Sequence, residues 1–154
     1  MPRSLISTLE KSVGDPDFWP DTKRIPRATM AQISRSESGL QFELPALLRD
    51  LYLNIANGGF LDLLGVIGGA TDHLGRNAVD IYTQSVDPNS GYRQWPDKLL
   101  PVRYLGCTHY ECADCRYKRA TIIEVNTCSF FIDELPWEEC HDRSGKSLRQ
   151  WLCP

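Results

Sequence analysis

The sequence lacks an apolar run long enough to cross a membrane. A spanning helix needs roughly 20 consecutive apolar residues, whereas the longest apolar run here extends from Phe60 to Ala70 and contains Asp62. The opening residues include Arg3 but no continuous apolar stretch of the kind found in signal peptides. We therefore expect a chain that does not enter a membrane and that stays in the cytoplasm.

The sequence also lacks an excess of positive charge. The 17 lysines and arginines are outnumbered by 20 aspartates and glutamates, which gives a net charge of −3 at pH 7. Proteins that hold nucleic acid neutralise its phosphates with clustered cations. Nucleic acid is therefore not an expected partner.

Signatures of catalysis are missing as well. The sequence has no nucleophile elbow, phosphate-binding loop or paired-metal motif, and Gly68-Gly69 is too short for a dinucleotide fingerprint. A cysteine nucleophile with His109 as base and Asp114 or Asp133 as orienting carboxylate can still be written down, because such triads assemble in space. Without a supporting motif, we expect a chain that is not an enzyme and that carries no cofactor.

The composition is typical of one globular domain. The chain has 154 residues, of which 42% are hydrophobic and 24% charged. Apolar residues at helical spacing predict helices over Leu5 to Val13, Thr29 to Ser38 and Leu44 to Asn57, and one that starts at Thr71 or Asp72. Apolar runs between turn residues predict strands over Leu63 to Ile67, Leu99 to Leu105, Thr108 to Ala113, Ala120 to Val125 and Cys128 to Ile132.

The order of these elements predicts an α+β fold, because helices come first and strands later without regular alternation. Short connections between the last strands favour a largely antiparallel sheet, packed with the N-terminal and crossover helices. The helix that starts at Thr71 or Asp72 is expected to turn four side chains toward the core: Leu74, Ala78, Ile81 and Tyr82. Ser147 to Leu152 predicts a short closing helix.

A segment near the C-terminus is strongly acidic. It contains no Lys or Arg, and it places Trp137 among the carboxylates of Asp133, Glu134, Glu138, Glu139 and Asp142. One interpretation is a solvated loop, since most charge clusters serve solubility. The other is a partner-binding surface, on which the carboxylates attract a basic protein and the indole anchors it.

The six cysteines are expected to be free thiols, because the cytosol is reducing. Four potential soft ligands lie close together and suggest a zinc site: Cys107, His109, Cys112 and Cys115. The remaining ligands would have to come from Cys128, Cys140, His141 or Cys153. The alternative is that cysteines fill the core as small hydrophobic residues.

Several segments follow the order typical of one protein family. The most specific runs from Gly39 to Phe60, with Leu44-Pro45 at the start of a helix and an Asn-Gly-Gly turn after it. The others are Gly68 to Tyr82, Trp95-Pro96 with Leu100-Pro101, Gly106-Cys107 and Ser147 to Leu152. On these segments the chain resembles the SUKH superfamily, also called the Smi/Knr type, as a single domain over residues 1–154.

The resemblance implies a cytoplasmic α+β domain that acts by binding other proteins. Bacterial members are in the main immunity proteins of polymorphic toxin systems, and fungal relatives regulate cell-wall assembly. It therefore implies a non-enzymatic immunity protein whose partner is a cognate toxin domain. The alternatives are a zinc-stabilised adaptor and a regulatory protein of the fungal kind, and a homodimer is a further option.

Overall fold

The computed structural model describes residues 2–13, 15, 24–90, 95–128, 136–143 and 145–152. The helices are α1 (Pro2–Val13), α2 (Met30–Leu40), α3 (Ala46–Asn54), α4 (Ala78–Val86), α5 (Trp137–Cys140) and α6 (Leu148–Leu152). The strands are β1 (Leu99–Gly106), β2 (His109–Asp114), β3 (Ile122–Asn126) and β4 (His141–Arg143). Each described helix falls short of the length and apolar character needed to cross a bilayer.

The predicted α+β class is confirmed. The four strands form one antiparallel sheet in the order β1-β2-β3-β4, so that neighbours in the sheet are also neighbours in the chain. On the helical side, α4 packs against β1 and α2, while α3 contacts α1 and α6. The core fills the space between these layers, and Trp95 belongs to it with only 2% of its surface exposed.

The strand predictions for the first three strands of the sheet are confirmed within a few residues. The expected strand from Cys128 to Ile132 lies mostly outside the described residues, and Cys128 itself sits in a helical turn. The fourth strand comes instead from His141–Arg143, within and just beyond the acidic segment. The predicted closing helix is present, with Leu148 and Leu152 buried.

Helix α2 begins where its capping residue predicts. Thr29 Oγ1 accepts a hydrogen bond from Gln32 N (3.1 Å), and Gln32 Oε1 accepts one from Thr29 N (2.8 Å), so two free N–H groups are satisfied. The helix continues two residues past the expected Ser38, because Gln41 rather than Gly39 adopts the left-handed conformation that ends it.

The expected helix start at Thr71 or Asp72 is wrong. Helix α4 begins at Ala78, where Asn77 Oδ1 accepts a hydrogen bond from Asp80 N (3.0 Å). Ala78 and the two other expected core positions within the helix are buried, but Leu74 lies before it and is 65% exposed. The helix is capped five or six residues later than predicted, because the Asp72 carboxylate accepts hydrogen bonds from its own loop instead of capping a helix.

The expected strand from Leu63 to Ile67 is also wrong. Only Leu63 forms an isolated bridge, with Arg103, and the chain then bends around Asn57. Asn57 is 1% exposed; its Oδ1 accepts a hydrogen bond from Val66 N (2.8 Å), and its Nδ2 donates one to Ile67 O (3.1 Å). These side-chain hydrogen bonds take the place of the backbone hydrogen bonds to a neighbouring strand that a β-strand would form.

Two glycines allow this bend to close on Asn57. A Cβ atom at Gly65 would lie 2.3 Å from Asn57 O, and one at Gly69 would lie 2.4 Å from the Asn57 side chain. No other residue fits at such distances without backbone movement. Both positions therefore require glycine, because any side chain there would meet Asn57.

Candidate protein-binding surface

The register of the sheet brings acidic residues from separate strands into one row. Glu111 on β2 pairs with Glu124 on β3, and Glu124 pairs with Asp142 on β4. Directly opposed residues in a sheet have Cβ atoms about 5 Å apart and project to the same face. Three carboxylates thus lie side by side across the sheet, and at the β1 end Arg103 completes the row opposite Glu111.

Within the part of the chain that the structure describes, an arginine pairs with the first carboxylate of this row and with neither of the other two. Arg103 Nη2 lies 2.5 Å from Glu111 Oε2, and the Arg103 guanidinium carbon lies 4.7 Å from the centre of the Trp151 ring. Among the described residues, Arg103 Nε and Glu111 Oε2 are buried without a hydrogen-bond partner, so the contact is an ion pair alone. The Arg103–Trp151 contact marks one end of the acidic row.

The other two carboxylates face a shallow depression. The depression has a volume of about 210 Å³ and is bordered by Glu124, Asp142, Glu139, His109 and His141 among others. Within it, His109 Nδ1 lies 3.2 Å from Glu124 Oε1. Among the described residues, no lysine or arginine forms an ion pair with the four carboxylates that we define as the acidic surface: Glu124, Glu138, Glu139 and Asp142.

Three of the predicted acidic residues therefore lie on one surface, and Glu124 of β3 adds a fourth carboxylate to it. Glu138 and Glu139 are exposed on α5, and Asp142 is exposed on β4. Asp133 and Glu134, also predicted to contact the partner, lie outside the described residues. Glu124 was not predicted, because its proximity to Asp142 depends on strand register; alternation of apolar and polar residues along β3 was the only available signal.

Trp137 is less accessible than an exposed anchor would be. Part of its indole packs against the core, and its ring stacks on His141 with centroids 4.2 Å apart and planes 17° apart. The backbone carbonyl of Trp137 also lies 2.5 Å from His141 Nδ1. The indole thus packs α5 against β4, the two elements that carry Glu138, Glu139 and Asp142.

A second polar cluster, which was not predicted from the sequence, surrounds Asp72. The Asp72 side chain is fully buried. Its Oδ1 accepts hydrogen bonds from Leu74 N (3.0 Å) and Arg76 N (2.9 Å), while its Oδ2 accepts from Arg76 Nη2 (2.8 Å) and Tyr110 Oη (3.1 Å). The spacing of Asp72, Gly75 and Arg76 is the signal that could have revealed this loop.

Burial and hydrogen bonding act in opposite directions on Asp72. Burial alone would raise its pKa, but the bonds from Arg76 and Leu74 stabilise the charged form more strongly, so the pKa of Asp72 lies below its ordinary value. Burial, with a contribution from Asp72, raises the pKa of Tyr110 to about 12. The cluster therefore holds an ionised carboxylate, a cation and a neutral phenol at neutral pH.

The Asp72 cluster determines the conformation of the loop that carries His73 and Leu74. It holds the loop in which Leu74 is exposed, and it places the His73 ring on Tyr104 with centroids 4.7 Å apart. Beside the loop is a cavity of about 340 Å³, lined in part by Leu74, Arg76 and Tyr110. The cluster is thus a structural support for this end of the molecule.

The predicted zinc ligands are not gathered into one site. In the part of the chain that the structure describes, no three His, Cys, Asp or Glu side chains are grouped closely enough to hold a metal ion. Cys107 is exposed in the turn before β2, Cys112 is buried on β2, and Cys115 is half-buried after it. The alternative, in which cysteines fill the core, is confirmed for Cys112 and Cys140.

The residues considered for a cysteine triad have other contacts. His109 lies against Glu124, and both oxygens of Asp114 accept hydrogen bonds from Arg116, at 2.9 and 2.8 Å. The remaining candidate for the orienting carboxylate, Asp133, is outside the described residues. Burial raises the pKa of Cys112 and raises the pKa of Cys115 to about 12, which keeps both thiols protonated at neutral pH.

These environments predict unequal thiol labelling. In native protein at pH 7.5, Cys107 should react readily with a maleimide, whereas Cys112 and Cys115 should react slower by about 100-fold or more. Mass spectrometry of peptides after timed quenching measures each rate. Labelling in denaturant, where all six cysteines become accessible, is the control. Fast native labelling of Cys112 would contradict the burial described here.

No protein-family model matches the chain, and no curated protein matches it significantly.

Proposed function

We propose that this chain is a non-enzymatic protein-binding domain, an immunity protein that binds and neutralises a cognate polymorphic toxin in the cytoplasm. The supporting observation is the cross-strand pair Glu124–Asp142, with two exposed carboxylates of α5 beside it. Like charges placed directly opposite each other destabilise a sheet. A residue pattern that lowers stability without structural benefit is typical of a functional surface.

A basic partner would relieve this repulsion. Many toxins attack nucleic acid, and a nucleic-acid site is lined with lysine and arginine. An arginine of such a site could enter the depression between Glu124 and Asp142 and donate hydrogen bonds to both carboxylates. Occupation of a cationic cleft by the acidic surface would then exclude the toxin's substrate from the same cleft.

The scaffold beneath the acidic surface suits rapid binding. Glu124 is on a strand between two neighbours, and α5 is held to β4 by the stacked rings of Trp137 and His141. Carboxylates on a rigid base lose little conformational freedom when a partner binds. Their negative charge, which no lysine or arginine of the described residues pairs with, also steers a cationic protein during approach.

Co-expression with a toxin tests the proposal directly. The probe is the C-terminal domain of a secreted toxin encoded next to the gene for this chain. We expect restored growth and a stable complex on gel filtration. A doubly reversed variant, Glu124→Lys with Asp142→Lys, should fold but fail to protect, while reversal of the exposed Glu10 on α1 should protect fully. Protection by the doubly reversed variant would reject the acidic surface, and lack of protection by the native chain would reject that toxin as its target.

A further inference from the structure

A groove with a basic rim, opposite in charge to the acidic surface, lies between the start of α3, the β2–β3 connection and the start of α6. Its volume is about 660 Å³, within the range of sites that hold drug-sized molecules or short peptides. The floor is apolar: Leu44, Pro45 and Leu148 are buried there, and Leu47 is half-buried. The groove thus offers apolar contact to a ligand that can enter it.

The rim of the groove is basic. Lys118, Arg119 and Arg149 line it and are exposed, and Glu43 is the acidic residue among the residues that line it. Lys118 and Arg149 form no ion pair with any carboxylate of the described residues. Among the described residues, the rim therefore carries more positive than negative charge, although the whole chain is acidic.

One of the rim cations is held in position. Arg119 Nη2 donates hydrogen bonds to Gly145 O (2.7 Å) and Gln150 Oε1 (3.3 Å), which tie the β2–β3 connection to the segment before α6 and to α6 itself. A fourth cation that lines the groove, Arg49, is already paired with Glu37 at 2.7 Å. The charge available to a ligand therefore comes from Lys118, Arg119 and Arg149.

The start of α3 adds to this potential. Pro45 precedes the helix and makes no side-chain cap, and the first turn contains no acidic residue. The first turn of α3 therefore has no acidic residue of its own to offset the positive end of the dipole, and the nearby Glu37 Oε1 accepts a hydrogen bond from Leu44 N (2.9 Å) just before the helix. This contribution is smaller than that of three full charges, so the side chains and the apolar floor define the groove.

We propose that this groove binds an acidic peptide segment of a second protein, with an apolar side chain on the floor and carboxylates on the rim. An inorganic anion would leave the apolar floor unused, whereas a peptide that alternates acidic and apolar residues matches both parts. The proposed ligand is opposite in charge to the partner of the acidic surface. The groove is thus a second binding site that does not depend on toxin recognition.

A random copolymer of glutamate and tyrosine is a suitable probe, since it samples many acidic sequences with aromatic residues. Binding of the labelled copolymer to the full chain can be followed by fluorescence anisotropy at 50 and 150 mM salt. We expect affinity about tenfold higher than for polyglutamate, because only the copolymer can place a side chain on the floor. Affinity should fall with added salt.

Three variants separate the groove from general effects of charge. Lys118→Glu combined with Arg149→Glu should lower affinity about tenfold or more. Ala46→Glu should also lower it by repelling the ligand, yet should preserve or raise the melting temperature, because an acidic residue in the first turn favours the helix. Arg35→Glu, on the exposed face of α2, is the matched control and should leave affinity unchanged.

Several outcomes would overturn the proposal. Equal affinity for polyglutamate would show that the apolar floor does not contribute, and displacement by millimolar phosphate would indicate a site for small anions. Self-association of the native chain in sedimentation, removed by the Lys118 and Arg149 reversals, would assign the groove to a second copy. No copolymer binding at 50 mM salt would reject the groove as an acidic-peptide site. None of these results would affect the test of toxin protection.

Discussion

Replacement of Asp72 with alanine is expected to lower the free energy of unfolding by about 3–5 kcal/mol, the usual cost of removing one partner from a buried ion pair. The variant would leave Arg76 without its carboxylate and would remove the acceptor of two backbone N–H groups that hold the loop. Tyr110 would lose the same acceptor. Urea unfolding at pH 7, followed by circular dichroism, measures the difference.

The pH dependence of stability provides a second readout of Asp72. Its pKa in the folded chain lies below the ordinary value of 3.8, so its contribution is fully present above that value and is lost as the pH falls through the folded pKa. Native protein should therefore lose stability in acid more steeply than Asp72→Asn. Asp62→Asn, at an exposed position, is the matched control for the loss of one surface carboxylate. A loss below about 1 kcal/mol at pH 7 would contradict the role assigned to this cluster.

Reversal of charge on the acidic surface is expected to slow toxin association by about 100-fold at low salt, when Glu124, Glu138 and Glu139 are all changed to lysine. The rate should fall because the carboxylates steer a basic partner during its approach. Dissociation should change less, since exposed charges contribute modestly once apolar contacts have formed. Stopped-flow fluorescence or surface plasmon resonance at several salt concentrations separates the two rates.

The same substitutions are not expected to unfold the protein. A lysine at position 124 would face Asp142 across the β3–β4 pair and would replace repulsion by attraction. Glu138 and Glu139 are exposed on α5. Glu10→Lys, which changes the net charge away from the acidic surface, controls for long-range effects. Association that is insensitive to both salt and the three reversals would place the interface elsewhere on the molecule.

The parts of the fold governed by local chemistry were predictable. Thr29 caps α2 as expected, because its hydroxyl and Gln32 form a self-contained pair of hydrogen bonds. The α+β class followed from the order of apolar patterns, and adjacent strands paired as short connections suggest. In each case, the determining residues are close in the sequence.

Predictions failed where a polar side chain takes an unexpected role. Asp72 looked like a helix cap, but it receives donors from its own loop and from Tyr110, which is remote in the sequence. Asn57 similarly bends the segment that resembled a buried strand. The acidic surface was found only in part, since the position of Glu124 beside Asp142 depends on long-range strand register.

The two outer edges of the sheet limit aggregation. Strand β4 is only three residues long and includes both Asp142 and Arg143. At the opposite edge, Pro101 has no N–H to offer, while Leu64 N donates to Val102 O and Leu63 bridges Arg103. Short, charged or covered edges give an incoming strand few free backbone groups. Polymerisation of folded chains by pairing of these strand edges is therefore disfavoured.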